Sequence, residues 1–175
     1  MNSWRKVGSA LLVLLCLGGM PAQASWRAEV PEAQVIGQGE FTLFGFRIYS
    51  ARLLATSDRF NADQPFALEL TYHRAISRDD LVEASLEQIS LQTGVTATPE
   101  QLQRWQMEMQ KAFVDVDSGE QIIGVYLPGR GCQFYVGEQL QHEIADPLFA
   151  QAFFDIWLGT DTSEPQLRKQ LLGNR

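Results

Sequence analysis

The sequence predicts an α+β domain, a mostly antiparallel sheet with helices packed on one face, and three observations agree on it. Strand-like and helix-like segments are segregated along the chain and do not alternate one by one. The links within the strand blocks are short, as hairpins require. One block, residues 124–159, joins a tight hairpin directly to a capped, aromatic-rich helix.

The first 24 residues precede this domain and read as an export signal. Arg5 and Lys6 give a positive start, Val7 to Leu17 an apolar run, and Ala22-Gln23-Ala24 a small-residue cleavage site, so the mature chain is expected to begin at Ser25, cut after Ala24. The apolar run is shorter than the roughly 20 residues of a membrane span, which predicts cleavage and no stable span afterwards. The expected compartment is the periplasm or the outside of the cell. Residues 25–175 are enough for one domain with a sizeable core.

Val35 to Thr56 reads VIGQGEFTLFGFRIYSARLLAT, rich in β-branched and aromatic residues, and predicts two strands with Gly45 at the turn or a bulge between them. The second strand is largely apolar on both faces, as in a strand covered on both sides. Phe66, Leu68, Leu70 and Tyr72 alternate with Ala67, Glu69, Thr71 and His73, which predicts a half-buried strand. Ser77, with Asp80 three residues on, opens a helix whose apolar positions are Leu81, Val82, Ser85, Leu86 and Ile89. Thr98, Pro99 and Gln101 open a second, with Leu102, Trp105, Met109 and Phe113 as its stripe. Ile122 to Leu127 and Cys132 to Val136 alternate around the Pro128-Gly129-Arg130-Gly131 turn. Asp146 caps a third helix, with Pro147 at its first position and Gly159 at its end; a short fourth runs from Ser163 toward Gly173.

Composition excludes several functions. The chain carries a net charge of −7, and loss of the leader leaves 12 basic against 21 acidic residues, so neither nucleic acid nor an anionic membrane surface is an expected partner. Cys132 is alone once Cys16 leaves with the leader, which forbids an intrachain disulfide and makes it a buried hydrophobe. His73 and His142 stand apart, without metal-ligand spacing; His142 is placed between hairpin and helix at the surface. No nucleophile elbow occurs. Gly37-Gln38-Gly39 lacks the third glycine, lysine and following helix of a phosphate loop, so its expected use is a strand bend or a close backbone approach. No cofactor is expected.

What remains is an aromatic and arginine set on strands, Tyr49, Arg52, Tyr72, Arg74, Tyr126 and Tyr135. A pocket between sheet and helices, mostly apolar with a few hydroxyls and one guanidinium, suits a small apolar acid or phenol. The expected ligand-binding residues are Tyr49, Arg52, Tyr72 and Tyr126.

Together the run GQGEFTLFGFRIYSARL, the strand FALELTYHRAIS before a capped helix, the GVYLPG hairpin, and EIADPLFAQAFFDIWLG followed by SEPQLRKQLLG resemble the chalcone isomerase-like proteins of bacteria, over most of Val35 to Gly173. The resemblance implies that family's open-faced β-sandwich, with a ligand cleft between sheet and helices. In the plant enzymes this cleft closes a flavanone ring, and in related non-catalytic members it holds a fatty acid. Both uses rely on an arginine shortly after a glycine-x-glycine. Here Glu40 stands near that place, Phe44 near a strand threonine, and Ile156 near a late serine or threonine. The expectation is therefore an exported, non-catalytic domain that binds a small apolar ligand such as a fatty acid or serves as an interaction module; no particular protein partner is indicated. The competing reading is an isomerase or lyase of the chalcone isomerase type, with Tyr49, Tyr72 or Tyr126 as hydrogen-bond donor and Arg52 as anion partner. It requires these groups to converge on one cleft.

Overall fold

The structure is a computed structural model that describes residues 25–94 and 96–173. The leader, including Ala24 of the expected cleavage site, lies outside the described residues.

Six strands form one sheet in chain order: β1 (Gln34–Leu43), β2 (Phe46–Ala55), β3 (Phe66–Tyr72), β4 (Gln121–Leu127), β5 (Gly131–Val136) and β6 (Gln139–Ile144). Every neighbouring pair is antiparallel. Between β3 and β4 the chain makes α1 (Arg78–Ser90) and α2 (Pro99–Ala112); after β6 come α3 (Pro147–Leu158) and α4 (Pro165–Leu171). The predicted α+β architecture is what the chain forms. The β1–β2 turn is Phe44-Gly45, both at positive φ, 51° and 83°, the backbone of a tight two-residue hairpin turn.

The helices start where the sequence provides an acceptor for their free N–H groups. Ser77 accepts from Asp80 N, Thr98 and Gln101 form a reciprocal capping box, and Asp146 accepts from Leu148 N and Phe149 N. Asp146 also ties two helices together, because its other oxygen accepts from Trp105 Nε1 of α2 at 2.9 Å.

One face of the sheet meets α3, which contributes Phe149, Ala150, Ala152, Phe153 and Trp157 to the main core. Phe149 packs edge-on to Trp105 and stacks on Phe153, which meets Phe134 of β5 edge-on. At the sheet's first edge α4 lies against β1. A Cβ on Gly37 would fall 2.2 Å from the carbonyl oxygen of Gln170 and 2.3 Å from that of Leu171. The glycine pair is thus the close backbone approach that its pattern suggests.

The other face carries a second, smaller core. Trp26 and Val30, from a short 3-10 helix (Trp26–Ala28) and the turn after it, cover Leu54, Ala67, Ile123, Val125, Leu127 and Tyr135. This explains why the second half of β2 is apolar on both sides. Two elements differ from the sequence reading. Gln139–Ile144 is a strand, so His142 lies on β6 and not in a surface loop, and its Nε2 is 2.6 Å from Glu108 Oε2 of α2. The 3-10 helix at Trp26 is unmarked by periodicity, being three residues long. Cys132 is wholly buried, and desolvation pushes its thiol well above the ordinary range, which leaves it an inert packing group.

Candidate functional site

Between the helix-bearing face of the sheet and the helices lies a cavity of roughly 530 Å³. The sheet supplies Leu68, Leu70, Ile122 and Phe134 as its floor; α3 supplies Phe153, Phe154, Ile156 and Trp157; α1 supplies Leu81, Ala84, Ser85 and Gln88. Its rim on the β1–β2 side is Phe41, Leu43 and Ile48. Ile48 and Tyr49 both line the cavity, although neighbours on a strand normally face opposite ways. A bulge explains it: Phe41 pairs with Tyr49 and Thr42 with Arg47, which leaves Ile48 unpaired between them.

Two of the four expected binding residues meet here. Tyr49 and Tyr72 are cross-strand partners whose rings lie edge to face at 6.2 Å, and both line the cavity. The Tyr49 hydroxyl oxygen accepts from Trp157 Nε1 at 2.9 Å, which leaves its own proton to donate. Tyr72 is almost completely buried, at 4 % exposure, and its hydroxyl has no hydrogen-bond partner among the described residues. Burial raises the pKa of both phenols above the ordinary range, so both stay protonated donors.

The other two do not line it. Arg52 pairs across the sheet with Glu69, on the face away from the helices, with Nη1 3.1 Å from Glu69 Oε1. The alternation that sends Ala51 and Leu53 into the main core sends Arg52 the opposite way, so the expected guanidinium is not in the cavity. Tyr126 shares the helix-bearing face but stacks on Phe66 at 4.9 Å and meets Phe154 edge-on, filling the core beside the cavity. Tyr135 lies in the second core and donates to Gln133 Oε1, and Arg74 is exposed just beyond β3. The convergence that the isomerase or lyase reading requires is therefore not formed. Of the three positions compared with the family's polar groups, Ile156 lines the cavity, Glu40 faces the other way, and Phe44 is 92 % exposed at the hairpin turn.

Sequence reasoning missed two features. Among the described residues, the cavity's ionisable groups other than tyrosine are Asp80 and Glu87 of α1 and Glu164 before α4, all at the rim, and the helical spacing of Asp80, Ala84 and Glu87 is the available signal. On the opposite face, Ser50 Oγ lies 2.7 Å from His73 Nε2, and Arg47 Nη2 lies 3.3 Å from the same nitrogen and 2.5 Å from Glu40 Oε1. Arginine only donates, so Nε2 is an acceptor and takes the Ser50 hydroxyl proton in its hydrogen bond. That pair resembles a nucleophile and its base, but the sheet separates it from the cavity, so it cannot act on a ligand held there.

A family model described as chalcone isomerase-like matches residues 34–173. The chain belongs to the chalcone isomerase-like family. This family member is 29 % identical over 144 residues to an uncharacterized protein of Haemophilus influenzae, a match covering 80 % of this chain and 68 % of that one. Its fold is similar to that of an Arabidopsis thaliana fatty-acid binding protein, with a TM-score of 0.65 and 14 % identity over 82 % of this chain and 88 % of the other. At that identity the likeness speaks for the fold.

Proposed function

We propose that this chalcone isomerase-like domain is exported and, without catalysing an isomerisation, holds a small apolar ligand between its sheet and its helices. The carrying observation is the cavity itself, of roughly 530 Å³ and walled mainly by aromatic and aliphatic side chains, within the usual size of a small-molecule site. The fatty-acid binding of the Arabidopsis neighbour supports an acyl chain as the apolar part. The position of Arg52 on the far face of the sheet supports binding without catalysis, because no guanidinium among the described residues meets the two phenols. Leu43, Phe44 and Phe46 form an exposed apolar hairpin tip, the feature that favours an interaction module. Leu43 also lines the cavity, so the tip reads as the rim through which a ligand enters.

Protein purified natively and then denatured is expected to release an acyl compound detectable by mass spectrometry, and added acyl ligands are expected to raise its Tm by mass action. Absence of both effects overturns the ligand reading. Export is tested separately: the intact mass of the protein recovered from its native host is expected to correspond to a chain starting at Ser25, and a chain retaining residues 1–24 would refute cleavage.

A further inference from the structure

Among the described residues, every ionisable one that lines the cavity is an acid or a tyrosine. Asp80, Glu87 and Glu164 stand at the rim, and no lysine, arginine or histidine is among the described lining residues. Ligand carboxylates are usually met by a guanidinium or by an array of N–H donors, because burying an unpaired anion is costly. Neither is offered here. The N-terminal end of α1 reaches the rim, but acceptors of the protein already occupy it: Ser77 Oγ accepts from Asp80 N and donates to Asp80 Oδ2, and Asp115, from the segment after α2, accepts from Arg78 N at 2.8 Å. Inside, the free donors are neutral. Tyr72 has no hydrogen-bond partner among the described residues, and Tyr49 has an unspent proton beside the indole that it accepts from. Glu164 is near enough to Tyr49 to add to the upward shift that burial gives its pKa, so the acidic rim is felt at the phenol.

We infer that the cavity selects apolar ligands whose polar end is an uncharged hydrogen-bond acceptor, such as an ester, amide or ketone oxygen, and rejects free carboxylates. This rests on the ligand-binding reading above and narrows it. The acyl chain lies among Leu68, Leu70, Phe134 and Phe153, and the acceptor oxygen takes the hydroxyl protons of Tyr72 and Tyr49 in its hydrogen bonds. The rim carboxylates repel a fatty-acid anion, and no cation inside compensates for its lost water.

The test compares methyl laurate, laurate and laurylammonium as ligands of the intact mature chain at neutral pH, below their aggregation concentrations, by Tm shift and calorimetry. Methyl laurate is expected to bind at least about tenfold more tightly than laurate, the discrimination that about 1.4 kcal/mol of uncompensated charge gives. Tyr72→Phe, which removes only a hydroxyl, is expected to weaken methyl laurate roughly fivefold, with the Tm of the unliganded protein little changed. Glu164→Gln is expected to narrow the gap between laurate and its ester. Laurate or laurylammonium binding as well as the ester overturns the inference while leaving the ligand reading intact, as does an unaltered ester affinity in Tyr72→Phe. If none of the three binds, the ligand reading fails and this inference falls with it.

Discussion

Phe149→Ala is expected to destabilise the domain by about 3–5 kcal/mol, the usual cost of removing a buried phenylalanine ring. Phe149 is fully buried on the first turn of α3, where it stacks on Phe153 of the same helix at 5.6 Å and meets Trp105 of α2 edge-on at 5.6 Å. The surroundings cannot collapse into the space, since Asp146 fixes the start of α3 and holds Trp105 Nε1 at the same time. For a chain of this length the loss corresponds to a fall in Tm of roughly 10 °C, measurable by calorimetry. Loss of near-native packing should extend to the cavity wall, as Phe153 lines it. A fall of only a degree or two would show that α3 is not the principal support of the sheet.

Gly37→Val is expected to have an effect of similar size for a different reason. Its added Cβ would overlap backbone atoms of α4, the carbonyl oxygens of Gln170 and Leu171, which no side-chain rotation relieves. The helix must move off β1, taking with it the buried Leu167 and Leu171. At about 1.5–3 kcal/mol for each such side chain, the cost is roughly 3–6 kcal/mol. Gly39→Ala supplies the control. There the nearest atoms are the side-chain ends Gln170 Oε1 and Leu167 Cδ1, which can turn aside, so a smaller loss is expected in the same urea titration. Equal losses in the two variants would refute the account.

Elements with strong periodicity or a capping signal were legible in the sequence. The hairpin of β4 and β5, the three caps at Ser77, Thr98 and Asp146, and the close approach at Gly37 all follow from local chemistry. The strand β6, QLQHEI, was not legible because only Ile144 is buried, so its pairing depends on backbone hydrogen bonds and leaves no alternation to read. The 3-10 helix at Trp26 is too short to show a period. The site was half legible for a reason of parity. Alternation says that Tyr49 and Arg52 lie on opposite faces of β2 when the spacing is regular, but two apolar faces do not say which one the helices cover, and the bulge at Ile48 adds an offset that sequence does not mark. Tyr126 lies on the helix-bearing face, but its distance along the strand places it beside the cavity and not in it.

The contact of α4 with β1 joins the last of the described helices to the first of the described strands, and that has a kinetic meaning. Because the partners are so far apart in sequence, the contact closes a very long loop and is expected to be among the slower ones to form. Until Leu167 and Leu171 are in place, the stretch of β1 around Gly37 and Gly39 lacks its cover, although Phe41 already stacks on Tyr49. Docking of α4 is therefore the step that closes the inner side of the sheet's first edge.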